Sequence, residues 1–98
     1  MTGIEIIAEE RKRQIEKEGW TAEHDAEHCA NDLAIAAGHY AMPEEARTFM
    51  LTEEGEYLPI FWPFESKWWK PSPNDRVKEL AKAGALIAAE IDRIQNKK

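Results

Sequence analysis

The stretch HDAEH, residues 24 to 28, sets two imidazoles four residues apart. On a helix that spacing puts both on one face, where they can reach a single metal ion, as in the HExxH zinc motif. The motif carries its general base, a glutamate, directly after the first histidine. Here that position holds Asp25, and the glutamate, Glu27, sits beside the second histidine. The metal-dependent alternative is therefore a phosphohydrolase with His24, His28 and Asp32 as ligands and Asp25 or Glu27 as base, His39 being a further possible ligand. The plainer reading makes Glu23, Asp25 and Glu27 a helix N-terminus, His24 part of its cap, and His28 and His39 buried hydrogen-bonders or surface residues. No metal or other cofactor is expected. His28 and Asp32, also four apart, form an imidazole and carboxylate pair suited to holding a polar ligand.

A second group of side chains could act on a ligand. Trp62, Trp68 and Trp69 lie within eight residues, flanked by Lys67, Lys70 and Arg76. Aromatic faces stack bases, while cations and helix N-termini meet phosphates. The ligand-binding set read from the sequence is Trp20, His24, His28, Trp68, Trp69, Lys70 and Arg76, and the ligand a small nucleotide-like molecule. Against this, large side chains are also what pins a long irregular loop, and at least two of the four tryptophans are expected in the core.

These groups must be positioned by an all-α domain, a compact bundle of three main helices with a Trp- and Pro-rich irregular loop, forming one domain over residues 1 to 98. Residues 2 to 18 read as a helix opened by a Thr2-x-x-Glu5 capping box, with Ile4, Ala8, Arg11 and Ile15 at steps of three and four. Gly19 closes it, and Trp20 is expected to fold back on Ile15. A second helix is expected from about Ala22 or Asp25 to Ala41, its core face carrying Ala26, Cys29, Ala30, Leu33, Ala37 and Tyr40, with Pro43 as its stop. Gly38 inside it suggests close backbone packing or an approaching ligand. Residues 42 to 71 read as irregular, with a short helix between Pro43 and Leu51, an exposed turn at Glu53 to Glu56, and no interior strand in the proline-rich segment. The last helix is expected to be capped at Ser72, with Pro73 in its first turn. Its seam of Val77, Leu80, Gly84, Ile87, Ile91 and Ile94 wants a helical partner.

Composition narrows the functions. Of 98 residues, 43% are hydrophobic and 33% charged, as in ordinary globular domains, and self-association is a natural supplement for so small a core. A net charge of -6 disfavours a nucleic-acid duplex as partner, because duplex binding draws on basic residues that displace counterions. The single cysteine, Cys29, makes no intrachain disulfide, so a cytoplasmic setting is expected. The longest apolar run, near Ala83 to Ala89, falls far short of the roughly 20 residues of a membrane span, and no signal peptide is read.

The ordered segments ERKRQIEKEGWTAEHDAEH, LAIAAGHYA and WPFESKWWKPSPNDRVKELAKAGALIAAEIDRI resemble a group of small phage and prophage proteins, over nearly the whole chain except residues 42 to 60. More loosely, a helix followed by Gly-Trp-Thr, an aromatic loop with lysine and an Arg-bearing helix is similar to RyR-type domains, some of which bind nucleotide-like ligands. The HDAEH stretch and the Trp68-Trp69 pair depart from that second pattern. What the resemblance implies is a phage-encoded sponge in the host cytoplasm that sequesters a nucleotide signal of host defence. The function expected is ligand binding without turnover by a homo-oligomer. The alternatives are the metal-dependent phosphohydrolase and a protein-protein inhibitor that uses the aromatic loop.

Overall fold

The structure is a computed structural model that describes residues 1 to 19 and 31 to 96. Helix α1 spans Gly3–Glu18. Its start is the capping box: the Thr2 hydroxyl accepts from the Glu5 N–H at 3.2 Å, and the Glu5 carboxylate accepts from the Thr2 N–H at 2.9 Å. Its end is Gly19 at φ 73, a left-handed backbone that glycine adopts without steric cost. The expected contact of Trp20 on Ile15 lies outside the described residues.

Helix α2 spans Asp32–Ala41. The start expected near Ala22 or Asp25 lies outside the described residues, but an unbroken helix into α2 is ruled out at Asn31. There φ is 75, a left-handed conformation that asparagine tolerates better than most residues and that a right-handed helix cannot contain. Leu33, Ala36, Ala37 and Tyr40 form its buried face. Gly38 is exposed, and no described atom would come within 4 Å of a Cβ there, so close packing does not explain it.

Between α2 and the last helix the chain is more ordered than its prolines suggest. The short helix expected from Pro43 shrinks to one 3-10 turn at Glu44–Ala46. Phe49–Leu51 (β1) and Tyr57–Pro59 (β2) then pair as an antiparallel hairpin, Phe49 opposite Pro59, Met50 opposite Leu58 and Leu51 opposite Tyr57. An all-helical reading is corrected to a mostly helical fold with a two-stranded sheet. The expected turn is present: Gly55, at φ 85, donates to the Thr52 carbonyl at 3.0 Å. Pro59, buried opposite Phe49, leaves the pairing intact: the next residue, Ile60, donates to the Thr48 carbonyl at 2.8 Å, and the Pro59 carbonyl accepts from the Trp62 N–H at 3.0 Å.

Helix α3 spans Arg76–Gln95 and is capped by Asp75, whose carboxylate accepts from the Lys78 N–H at 3.0 Å. Ser72 and Pro73 precede the helix, so the cap expected at Ser72 falls three residues late. Its seam does not close the core. Ala81, Ala83, Ala85, Leu86 and Ala89 are buried, whereas Val77, Leu80, Ile87, Ile91 and Ile94 are 46 to 58% exposed. Helix α3 packs against both α1 and α2, and a face of alanines allows both to approach closely. The core joins Leu33, Ala36, Ala37, Tyr40, Ala83, Leu86 and Ala89, with Trp62, Phe64, Trp68 and Trp69 laid against it. No described helix is long and apolar enough to cross a membrane.

Candidate functional site

Tyr40 organises the loop that carries Trp68 to Lys70. Its hydroxyl donates to the Trp68 carbonyl at 3.1 Å and accepts from the Lys70 N–H at 2.8 Å. Burial, above all, pushes this phenol up to about 12, so it stays protonated and keeps both bonds at any ordinary pH. Trp69 is thereby turned inward. Its ring centroid lies 4.9 Å from Tyr40, 5.1 Å from Trp62 and 6.2 Å from Phe49, and the Arg47 guanidinium covers it at 5.3 Å.

Arg76 is also taken up internally. Its guanidinium donates to the carbonyls of Tyr40 at 3.1 Å, Met42 at 3.2 Å and Ala41, the electronegative end of α2. Arg47 joins it there, donating to the His39 carbonyl at 2.8 Å and pairing with Glu79 at 3.1 Å, with both side chains buried. Glu79 further accepts from Arg76 and from the Ser72 N–H. Burial raises its affinity for a proton, but the bonds from Arg47 and Ser72 outweigh this and hold the carboxyl below the usual range. The His39 ring lies tilted against Trp62 at 6.3 Å and faces the Ile60 backbone. Burial, helped by the Arg47 charge, lowers its proton affinity, so the ring is neutral at pH 7.

Lys70, by contrast, borders an open cleft of about 310 Å³ between α1, the segment before α3, and the first turns of α3. Arg13, Lys70, Lys78 and Lys82 converge on it from three parts of the chain, with Glu18 among them. Lys70 bonds Glu18 at 3.0 Å, and Arg13 holds Glu10 at 2.7 Å and Glu18 at 3.3 Å. Burial raises Glu18, but Lys70 and Arg13 together hold it ionised and below the usual carboxylate range. Lys82 is different. It is only 7% exposed, and among the described residues its one hydrogen bond goes to the Lys70 carbonyl, with its ammonium 5.4 Å from the Tyr40 ring. Burial, with Lys78 and Arg13 nearby, lowers its proton affinity against the pull of Glu10. A narrow recess of about 10 Å³, room for no more than a water, adjoins the cleft and is bordered by Tyr40 and Trp68. The Lys67 and Lys70 ammonium groups each lie over the Trp68 ring, 5.3 and 5.2 Å from its centroid.

Of the residues singled out in the sequence, Lys70 therefore lines the cleft and Trp68 borders the narrow recess beside it. Trp69 and Arg76 serve the interior and the end of α2. Trp20, His24 and His28 lie outside the described residues, as does most of the metal set; Asp32 opens α2. Among the described residues no three His, Cys, Asp or Glu side chains are grouped to hold a metal. Arg13, Tyr40, Lys78 and Lys82 were missed. One signal for them existed, the i, i+4 spacing of Lys78 and Lys82 on a single helix face. Compared with family models, characterised proteins and solved structures, the chain finds no match in any of the three.

Proposed function

We propose that the protein binds a small phosphate-bearing ligand, of the nucleotide-derived kind, in the cleft formed by Arg13, Lys70, Lys78 and Lys82. The observation that carries this reading is Lys82. A nearly buried ammonium is costly unless paired with an anion, and its only described hydrogen bond is to a neutral carbonyl. Glu10 and Glu18 act on it through space without bonding it, and a phosphate in the cleft would supply a direct anionic partner. Binding without turnover fits a sponge that removes a nucleotide signal, the role suggested by the likeness to small phage proteins.

Thermal-shift and calorimetric titrations with ADP-ribose, cyclic dinucleotides, mononucleotides and pyrophosphate test this. At least one should raise the melting temperature, since ligand that binds only the folded state stabilises it. Lys82→Met should abolish the shift, and chromatography of the ligand after incubation should show it unchanged. Absence of a shift with every member of the panel overturns the reading, and consumed ligand would make the protein an enzyme.

A second reading, contact with another protein, is favoured by the hairpin. Phe49, Met50, Leu51, Tyr57 and Phe61 are 40 to 75% exposed, and Phe61 stands at φ 63, strained for a residue with a Cβ. Loss of a partner on Phe61→Ser, with ligand binding intact, is its signature.

A further inference from the structure

Glu10, Glu79 and Glu90 are carboxylates drawn almost out of water, 4 to 10% exposed at the side chain, and each engages both of its oxygens. Arg13 and Gln14 donate to the pair on Glu10. Arg47, Arg76 and the Ser72 N–H share those of Glu79, and Arg93 takes both on Glu90. Glu18 differs. Its side chain is 12% exposed and lines the cleft, yet Arg13, at 3.3 Å, and Lys70, at 3.0 Å, both donate to the same oxygen, Oε1. Among the described residues Oε2 accepts no hydrogen bond, although the two cations keep the group ionised. A charged oxygen so nearly enclosed is costly to leave without a donor.

The two sides of the cleft are chemically unlike. Lys78 and Lys82 stand one turn apart on α3, and among the described residues neither forms an ion pair. They are the side that an anion would neutralise. Opposite them, Arg13 and Lys70 already face Glu10 and Glu18, and what that side adds is an acceptor, Oε2. A second anion there would be repelled by Glu18, and a cationic donor by the four cations around it. A neutral hydroxyl meets neither objection. The molecule with an anion at one end and hydroxyl donors within a space of about 310 Å³ is a phosphorylated sugar. A carboxylate accepting from a ribose hydroxyl is an established mode of sugar recognition.

We propose that the ligand of this cleft carries a phosphorylated sugar with free hydroxyl groups, its phosphate on Lys78 and Lys82 and a hydroxyl donating to Glu18 Oε2. This rests on the phosphate reading above and adds to it the residue that selects the sugar. NMR titrations of the full chain with three probes test it: ribose 5-phosphate, tetrahydrofurfuryl phosphate, which has the same ring and phosphate without hydroxyls, and pyrophosphate. Ribose 5-phosphate should bind at least about tenfold more tightly than its hydroxyl-free analogue, the effect of one hydrogen bond to a charged acceptor. In Glu18→Ala that ratio should fall to within about twofold. Pyrophosphate should bind the variant more tightly than the parent, because Arg13 and Lys70 are released to it. If Glu18→Ala unfolds, Glu18→Gln, a neutral and weaker acceptor of the same shape, replaces it and should lower the ratio at least about threefold. Equal affinity for the two ring phosphates, or a preference that survives loss of the carboxylate, overturns the sugar proposal while pyrophosphate binding upholds the phosphate reading. Failure of all three probes to bind overturns both.

Discussion

His39 and Lys82 are both buried bases whose protons are held more weakly than usual, and each makes a different pH prediction. For His39 the unfolded chain takes up a proton near pH 6.5 that the folded ring refuses until lower pH. Its contribution is therefore fully present above pH 6.5 and is lost as pH falls through the folded value. Urea unfolding at pH 5.5, 6.5 and 7.5 should show stability declining with acid, and His39→Gln should flatten that slope relative to the parent. Lys82 speaks to binding. Its ammonium loses its proton below the ordinary lysine value of 10.5, so affinity for a phosphate-bearing ligand should begin to fall below that pH. Lys82→Arg, which stays charged, should remove that early fall in a calorimetric pH series. Individual roles of this kind were only partly legible in the sequence. Lys70 and Trp68 stood out because they lie two residues apart, whereas Arg13 and Lys82 reach the cleft from helices nearly 70 residues apart. His39 could be read as a buried hydrogen-bonder because it lies one residue from Tyr40 on an apolar helix.

The elements differ in how openly the sequence declares them. Helix α1 announces both ends through Thr2, Glu5 and Gly19, groups that act within one turn. Helix α3 was legible as a helix but not in its orientation. It is apolar on two sides, one of alanines and one of larger aliphatics, and only the docking of α1 and α2 decides that the smaller set goes inside. The hairpin was hidden because Phe49-Met50-Leu51 shows no alternation and its turn lacks an Asn-Gly or Asp-Gly signal. Two glycines test this packing. Gly38→Ala meets open space and should stabilise the protein by about 1 kcal/mol, the difference in helix propensity. Gly84→Ala gains the same propensity but drives a methyl into Ile7, so it should cost about 1 kcal/mol net, since overpacking typically costs more than the propensity gained. In an Ile7→Ala background the sign should reverse. Denaturant midpoints for the four chains of that cycle give the coupling directly.

At the scale of the whole molecule, four cations share one cleft on a chain whose net charge is -6, so the rest of the surface is more negative still. Screening sets the distance over which each part is felt, about 8 Å in physiological salt and about 30 Å at 0.01 M. A ligand that fits within the cleft experiences mainly its lysines and arginine, while a long polyanion must also lie along acidic surface. Binding of a small anion should therefore weaken only gently with added salt, far less steeply than the tenfold or greater losses of a duplex binder, and titrations between 50 and 200 mM salt would measure the slope. The cleft works in this sense as a filter by length. It admits charge that arrives in a compact package and turns away the same charge strung along a polymer, so abundant nucleic acid in the surroundings need not compete for the site.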